Sequence, residues 1–181
     1  GRPIRRDTNM ASRMSLTTPT MGLAALVMSL AILHVGLAQN SPVQYLRLHN
    51  AARHAEGVGL GPLKWNDALA EYAQDYAEQL AKICTIEHSH GPYGENLYMG
   101  MTGPMAVENA MQMWMREKSD YDYDTNSCRR VCGHYTQLVW RDTKRVGCGY
   151  AECRHNSAGI VVCSYDPPGN MGDERPYLIS T

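Results

Sequence analysis

The chain has 181 residues, room for one compact domain and too few for two of ordinary size. Apolar residues make up 44% and charged residues 19%, so a packed core is within reach; Phe is absent, and the aromatic part of that core must come from 11 Tyr and 3 Trp, whose polar tips need partners. A net charge of −1 offers no global field for nucleic acid, which excludes a basic DNA-binding domain.

Gly1 to Asn9 precede the first Met, Met10, and read as an upstream overrun. From Met10 the chain carries Arg13, an apolar run from Met21 to Leu33, and Gly36-Leu37-Ala38. A basic n-region, an apolar h-region and a small-x-small site are the layout of a secretory signal, cleaved after Ala38 to leave Gln39, a residue that can cyclise. The rival reading is a membrane anchor, but Met21 to Leu37 is 17 residues with His34 and two Gly inside it, the bottom of the spanning range. The expected division is therefore 1–38 as upstream segment and signal, and 39–181 as the working domain, with no stable membrane insertion. The working part carries 13 Lys+Arg against 17 Asp+Glu, a net charge of −4, and all six Cys. Secretion with an even Cys count implies three disulfides rather than a metal cluster.

Ser41-Pro42 starts a first helix, a hydroxyl cap followed by Pro at the first helical position. Leu46, His49, Ala52 and Arg53 recur at helical spacing, and Gly57 is the natural stop. Asn66 caps a second helix with the apolar stripe Leu69, Tyr72, Ala73, Tyr76, Leu80 and Ile83. Gly103-Pro104 opens a third through Ala106, Ala110, Met113 and Trp114, ending near Lys118. Residues 119–132 are polar and read as a loop. Tyr135 to Trp140, Arg145 to Glu152 and Gly159 to Tyr165 read as strands, with a turn at Asn156 to Gly159 pairing the last two as an antiparallel hairpin. Helices followed by strands in one small chain predict an α+β fold, helices packed on a sheet.

Six Cys allow 15 connectivities. Cys148 and Cys163 sit nearly symmetrically on the two arms of the hairpin, so a cross-strand bond is feasible. Cys128 and Cys132 can close a small loop with each other. That leaves Cys84, at the end of the second helix, for Cys153, a bond that would constrain the unfolded chain most.

The residues able to carry chemistry are His and Glu. His134 stands at the entry to an apolar run, His88 lies seven residues before Glu95, and Glu117 ends the third helix. Two imidazoles and two carboxylates from separate segments can hold a divalent cation such as zinc, or perform acid–base work. No His-Glu-x-x-His is present, and the spacing alone favours capping and hydrogen-bonding roles.

Gly133-His134-Tyr135-Thr136-Gln137-Leu138-Val139-Trp140 resembles the first signature of the CAP superfamily, and Ile160-Val161-Val162-Cys163-Ser164-Tyr165-Asp166-Pro167-Pro168-Gly169-Asn170 resembles the second, with Ser164 where Asn is usual. His49-Asn50, Leu63-x-Trp65, Gly94-Glu95-Asn96-Leu97 and Gly147-Cys148-Gly149 fit as well, so the likeness runs from about Gln39 to Tyr177. Within the superfamily the chain is most similar to the plant pathogenesis-related class 1 proteins.

The resemblance implies an α-β-α sandwich around a central antiparallel sheet, and a cleft set falling on His88, Glu95, Glu117 and His134. His90 is the alternative to His88, but the His88-Ser89 pair matches the family. Some relatives bind zinc there; no cofactor is required, and catalysis is not expected, since Ser89 has no oriented triad. An aromatic loop near Tyr121-Asp122-Tyr123-Asp124 is linked in the family to sterol binding, which places the sterol-binding residues at Tyr121 and Tyr123. The bland readings are that His49 is a core residue, that Trp65, Trp114 and Trp140 are packing, and that Met105, Met111, Met113 and Met115 mostly pack a helix. The expected function is a secreted, extracellular (apoplastic) plant defence protein, antimicrobial through a sterol or other lipid of fungal or oomycete pathogens, monomeric, without nucleic acid. The alternatives are a precursor releasing the immune-signalling peptide Pro167 to Tyr177, and a metal-assisted hydrolase at the His/Glu cleft.

Overall fold

The computed structural model describes residues 40–155 and 158–179. The leader expected at 1–38 and the turn expected from Asn156 fall wholly or partly outside the described residues. In chain order the elements are α1 (Pro42–Ala55), β1 (Lys64–Trp65), α2 (Asp67–Ile83), β2 (Gly94–Met101) and α3 (Ala106–Arg116). A short 3-10 helix (Glu117–Asp120) follows, then β3 (Tyr121–Asp122), β4 (Ser127–Cys128), α4 (Gly133–Leu138), β5 (Arg145–Glu152) and β6 (Ala158–Asp166).

The predicted caps are in place. Ser41 Oγ accepts from Gln44 N at 3.3 Å and Asn66 Oδ1 accepts from Leu69 N at 2.9 Å, each satisfying an amide that the helix leaves without a partner. Gly57, just past α1, has φ +68°, a conformation that glycine adopts without strain.

The main sheet has the order β1-β5-β6-β2. Its three long strands are antiparallel, and the two-residue β1 joins the edge of β5 in parallel. Side chains of β6 alternate between two cores. Val161, Cys163 and Tyr165 meet Tyr45 of α1, Val107 and Trp114 of α3 and Leu138 of α4; Ile160 and Val162 meet Ala73, Ala77 and Leu80 of α2. The result is the α-β-α sandwich, with α2 alone on one side. Gly147 and Gly149 let α2 lie close: a Cβ at Gly149 would stand 2.3 Å from Gln74 Cα, and one at Gly147 would stand 2.1 Å from Ala70 N. The disulfides are Cys84–Cys153, Cys128–Cys132 and Cys148–Cys163, the last between directly opposed residues of β5 and β6.

Three expectations are corrected. Tyr135 to Trp140 is not a strand; its first part is α4. Tyr135, Thr136, Gln137 and Leu138 are buried in succession, without the in–out alternation of a half-buried strand, and the segment pairs with no strand of the main sheet. β2 is a long strand that the sequence reading did not place, because Gly-Glu-Asn-Leu-Tyr-Met-Gly-Met carries two Gly and no β-branched residue; its pairing with β6 from Gly94↔Tyr165 to Met101↔Ala158 supplies what local propensity lacks. Ile83 leaves the predicted stripe and is 73% exposed, at the last position of α2 before Cys84 turns left-handed.

Candidate functional site

The four predicted His/Glu residues form two pairs flanking the edge strand β2. Glu95 lies near the start of β2, and His88 stands in the segment leading into it. His88 Nδ1 is 2.8 Å from Glu95 Oε1, which also accepts from Ser89 N at 3.0 Å. Glu117 follows α3 directly. His134 Nδ1 is 2.6 Å from Glu117 Oε1, while Glu117 Oε2 accepts from the amides of His134 at 3.0 Å and Tyr135 at 3.3 Å.

Since an ionised carboxylate can only accept, Nδ1 of each ring is the donor, which leaves Nε2 as the nitrogen a neutral ring would present to a ligand. A carboxylate holding Nδ1–H is the arrangement that orients a metal-binding histidine. The first pair borders a cleft of about 220 Å³ with Ser89, His90, Gly91 and Tyr93. Within the Glu95 carboxylate one oxygen is saturated, while Oε2 is buried and without a hydrogen-bond partner. His90 therefore borders the same cleft, but His88 makes the carboxylate bond.

Asn96 ties the pairs together. It is 1% exposed and its Nδ2 donates to the His134 carbonyl at 3.0 Å, while Glu95 leaves the opposite face of β2. Trp114 contributes a platform: its indole donates to Leu97 O at 3.0 Å, and its ring stacks on His134 with 6.1 Å between centroids and 14° between planes. The packing role expected of Trp114 holds, since it is fully buried in the core, but its place beside His134 does not show in the sequence, nor does the role of Asn96, although Asn96 adjoins Glu95. Among the described residues, the one group of three His, Cys or acidic residues whose ligand atoms lie within 4.8 Å of one another is His49, Cys148 and Cys163, and both of its sulfurs are spent in a disulfide. The cleft set stands as two pairs at wider spacing.

Tyr121 and Tyr123 sit on the β3–β4 ribbon, half-buried in an aromatic cluster with Tyr135 and Tyr177. Tyr121 borders a cavity of about 270 Å³ with Asn126, Thr136, Trp140 and Asn170. Burial, with Tyr177 nearby, raises the Tyr121 pKa above its usual value. The segment after β6 is fastened over this region. Gly169 N donates to Gln137 Oε1 at 2.8 Å, Arg141 N donates to Pro176 O at 2.7 Å, and Asn126 Nδ2 donates to Asp173 O at 2.9 Å. Arg175 donates to the carbonyls of Tyr123 and Asp124. Ser89 Oγ accepts from Gly91 N at 3.2 Å.

This sandwich, its three disulfides and its paired His and Glu side chains define a class. The Cysteine-rich secretory protein family, CAP, matches residues 46–165. The chain belongs to this family and, within it, to the plant pathogenesis-related class 1 proteins. It is 50% identical over 157 residues to pathogenesis-related protein 1A of Nicotiana tabacum, covering 86% of this chain and 92% of that one. It is 51% identical over 140 residues to pathogenesis-related protein 1 of Arabidopsis thaliana, covering 77% and 84%. The crystal structure of NaASP2 with Zn2+ matches with a TM-score of 0.65 at 25% identity, covering 80% of this chain and 88% of that one. Venom allergen-like protein 4 of Schistosoma mansoni matches with a TM-score of 0.63 at 28% identity, covering 76% and 94%.

Proposed function

We propose that this chain is a secreted, extracellular defence protein of the pathogenesis-related class 1 type that works by binding and not by turnover. Its ligand is a sterol or other lipid of an invading fungus or oomycete, and its His/Glu cleft is a divalent-cation site. The observation that carries the defence reading is half identity to proteins of that name across most of their length. The leader at 1–38 supports secretion. No helix among the described residues is long and apolar enough to cross a membrane.

The residues fit a cation. Each pair would offer a cation its histidine Nε2, and the first pair adds the unpartnered Glu95 Oε2, nitrogen and oxygen donors of the kind zinc takes. NaASP2, of the same fold, is a zinc-containing crystal structure. A cation there would supply positive charge and Lewis acidity. The chain's own groups supply orientation: Glu95 and Glu117 hold the rings, and Trp114 flanks one of them. Ser89, whose Oγ is engaged by a backbone amide, has no base prepared for it.

The test is a sterol titration with and without zinc. Wild-type protein binds both. His134→Ala loses zinc and keeps sterol, while Tyr121→Ala with Tyr123→Ala loses sterol and keeps zinc. Zinc affinity falls in acid, because protons compete with the metal for the ring nitrogens. Zinc-dependent hydrolysis of an ester or peptide, lost in Glu95→Gln, would overturn the reading in favour of an enzyme.

A further inference from the structure

We propose that Tyr123 and Tyr177 form an oxidative cross-linking site, at which two-electron oxidation joins the rings and staples the C-terminal segment to the β3–β4 ribbon. The two rings are stacked, with 5.3 Å between centroids and 16° between planes. Near-parallel overlap lets an electron vacancy on one ring be shared by the other. The neighbouring contacts of Tyr121 with Tyr123, Tyr135 and Tyr177 are wider, at 6.0–6.5 Å, and tilted or edge-on. Tyr72 and Tyr93 are as near, at 5.1 Å, but meet edge-on at 82°.

Each phenol also has a route for its proton. The Tyr123 hydroxyl accepts from Ile179 N at 3.2 Å in an exposed position, leaving its own proton to solvent. Arg175 lies 4.8 Å from the Tyr123 centroid, and its positive charge opposes any cationic ring, so electron loss there must be coupled to proton loss. Tyr177 is 7% exposed and uses an internal chain. Tyr135 donates its single hydroxyl proton to Glu56 Oε2 at 3.0 Å, so at the 3.2 Å contact between the two hydroxyls Tyr177 is the donor. The Tyr177 proton can pass to Tyr135 as the Tyr135 proton passes to Glu56, whose other oxygen is buried and unpartnered.

The chemistry balances. Each tyrosine gives up one electron and one proton, and one carbon–carbon bond forms between ring positions ortho to the hydroxyls. The displaced ring hydrogens restore both phenols. Hydrogen peroxide, acting through a haem peroxidase, takes two electrons and two protons and leaves as two waters. The stapled segment is the one carrying Pro167 to Tyr177, so the bond would keep that segment attached even after a backbone cut behind Asp166.

The test treats dilute residues 39–181, secreted in full, with hydrogen peroxide and peroxidase, then reads intact mass and peptide maps. A monomer lighter by two hydrogens, with the Tyr123 and Tyr177 peptides joined, is expected. The product is lost in Tyr123→Phe and Tyr177→Phe, and retained in Tyr121→Phe. If Tyr177→Phe fails to fold, Tyr123→Phe decides, since that hydroxyl bonds only the exposed Ile179 amide among the described residues. Absence of the lighter monomer, joining at Tyr72 and Tyr93 instead, or survival of the product in Tyr123→Phe would overturn the proposal. The readout is mass alone, with no lipid or zinc present, so its failure is distinct from a failure of the binding assays.

Discussion

Acid should loosen this fold through His49. The ring is fully buried; Nδ1 donates to Tyr45 O at 2.7 Å, and Nε2 accepts from the Tyr165 hydroxyl at 2.9 Å. A second proton would have to enter a dry site. Burial, aided by the Arg53 charge and opposed by the Tyr45 carbonyl, pushes the pKa from 6.5 down to about 4. The unfolded chain keeps the ordinary value, so below pH 6.5 it takes up a proton that the folded protein refuses. Stability is therefore complete above pH 6.5 and is lost as pH falls toward 4. The slope approaches about 1.4 kcal/mol per pH unit, which amounts to about 2 kcal/mol by pH 5 and about 3 kcal/mol by pH 4. Urea unfolding followed by Trp fluorescence at pH 7, 5 and 4 measures this in wild type and in His49→Gln, whose amide does not titrate. Carboxylates act on both proteins, so the difference between the two pH profiles isolates His49. Wild type should lose about 3 kcal/mol more than the variant between pH 7 and 4. Parallel profiles would refute the reasoning.

Gly149→Ala places a methyl 2.3 Å from Gln74 Cα and forces α2 away from the sheet. A loss of about 1–3 kcal/mol in urea unfolding is expected, and an unchanged midpoint would contradict the packing described. Arg53 is 2% exposed and donates to the carbonyls of Gly61, Leu138 and Trp140 at 2.8–3.0 Å, so Arg53→Met should cost about 3 kcal/mol or more in thermal unfolding by orphaning them. Glu117→Ala should lower stability by about 1–2 kcal/mol in chelator-treated protein, because two α4 amides lose their acceptor. Protein collected from culture medium should begin at Gln39 by mass spectrometry; retention of residues 21–37 in a membrane fraction would reverse the reading of the leader.

What could be read in advance was local. Ser41 and Asn66 announce helix starts because a short polar side chain reaches an amide three residues on. The β5–β6 hairpin shows in its Val- and Tyr-rich arms on either side of a turn, and the near-symmetry of Cys148 and Cys163 about that turn points to a bond that the register bears out. The misreadings came where distant partners decide. α4 carries Tyr, Thr, Val and Trp in and just after it, a strand-like composition, and is helical because it is buried on all sides and held by a carboxylate 17 residues away. β2 becomes a strand through β6. At the site, spacing could not choose His88 over His90, which the family resemblance did, and nothing in the sequence coupled Glu117 to His134, which the fold does. Asn96 had no role read for it and Trp114 only a packing one, because what they do at the site lies in a carbonyl and a ring face that only the fold brings to them.

Glu117 holds two offices with one carboxylate: Oε1 steadies a histidine, and Oε2 anchors the opening turn of a six-residue helix. The demands of the proposed cation site and of the scaffold are thereby fused at this position. A lineage that ceased to use the cleft would still be penalised in folding for discarding Glu117, so the residue would outlast its ligand. Glu95 also engages a backbone amide, but through the same oxygen that meets His88, leaving its second oxygen without any structural duty. If the cleft holds the cation proposed above, substitutions at Glu95 report on it more cleanly, and it is there that loss of use would first leave its mark.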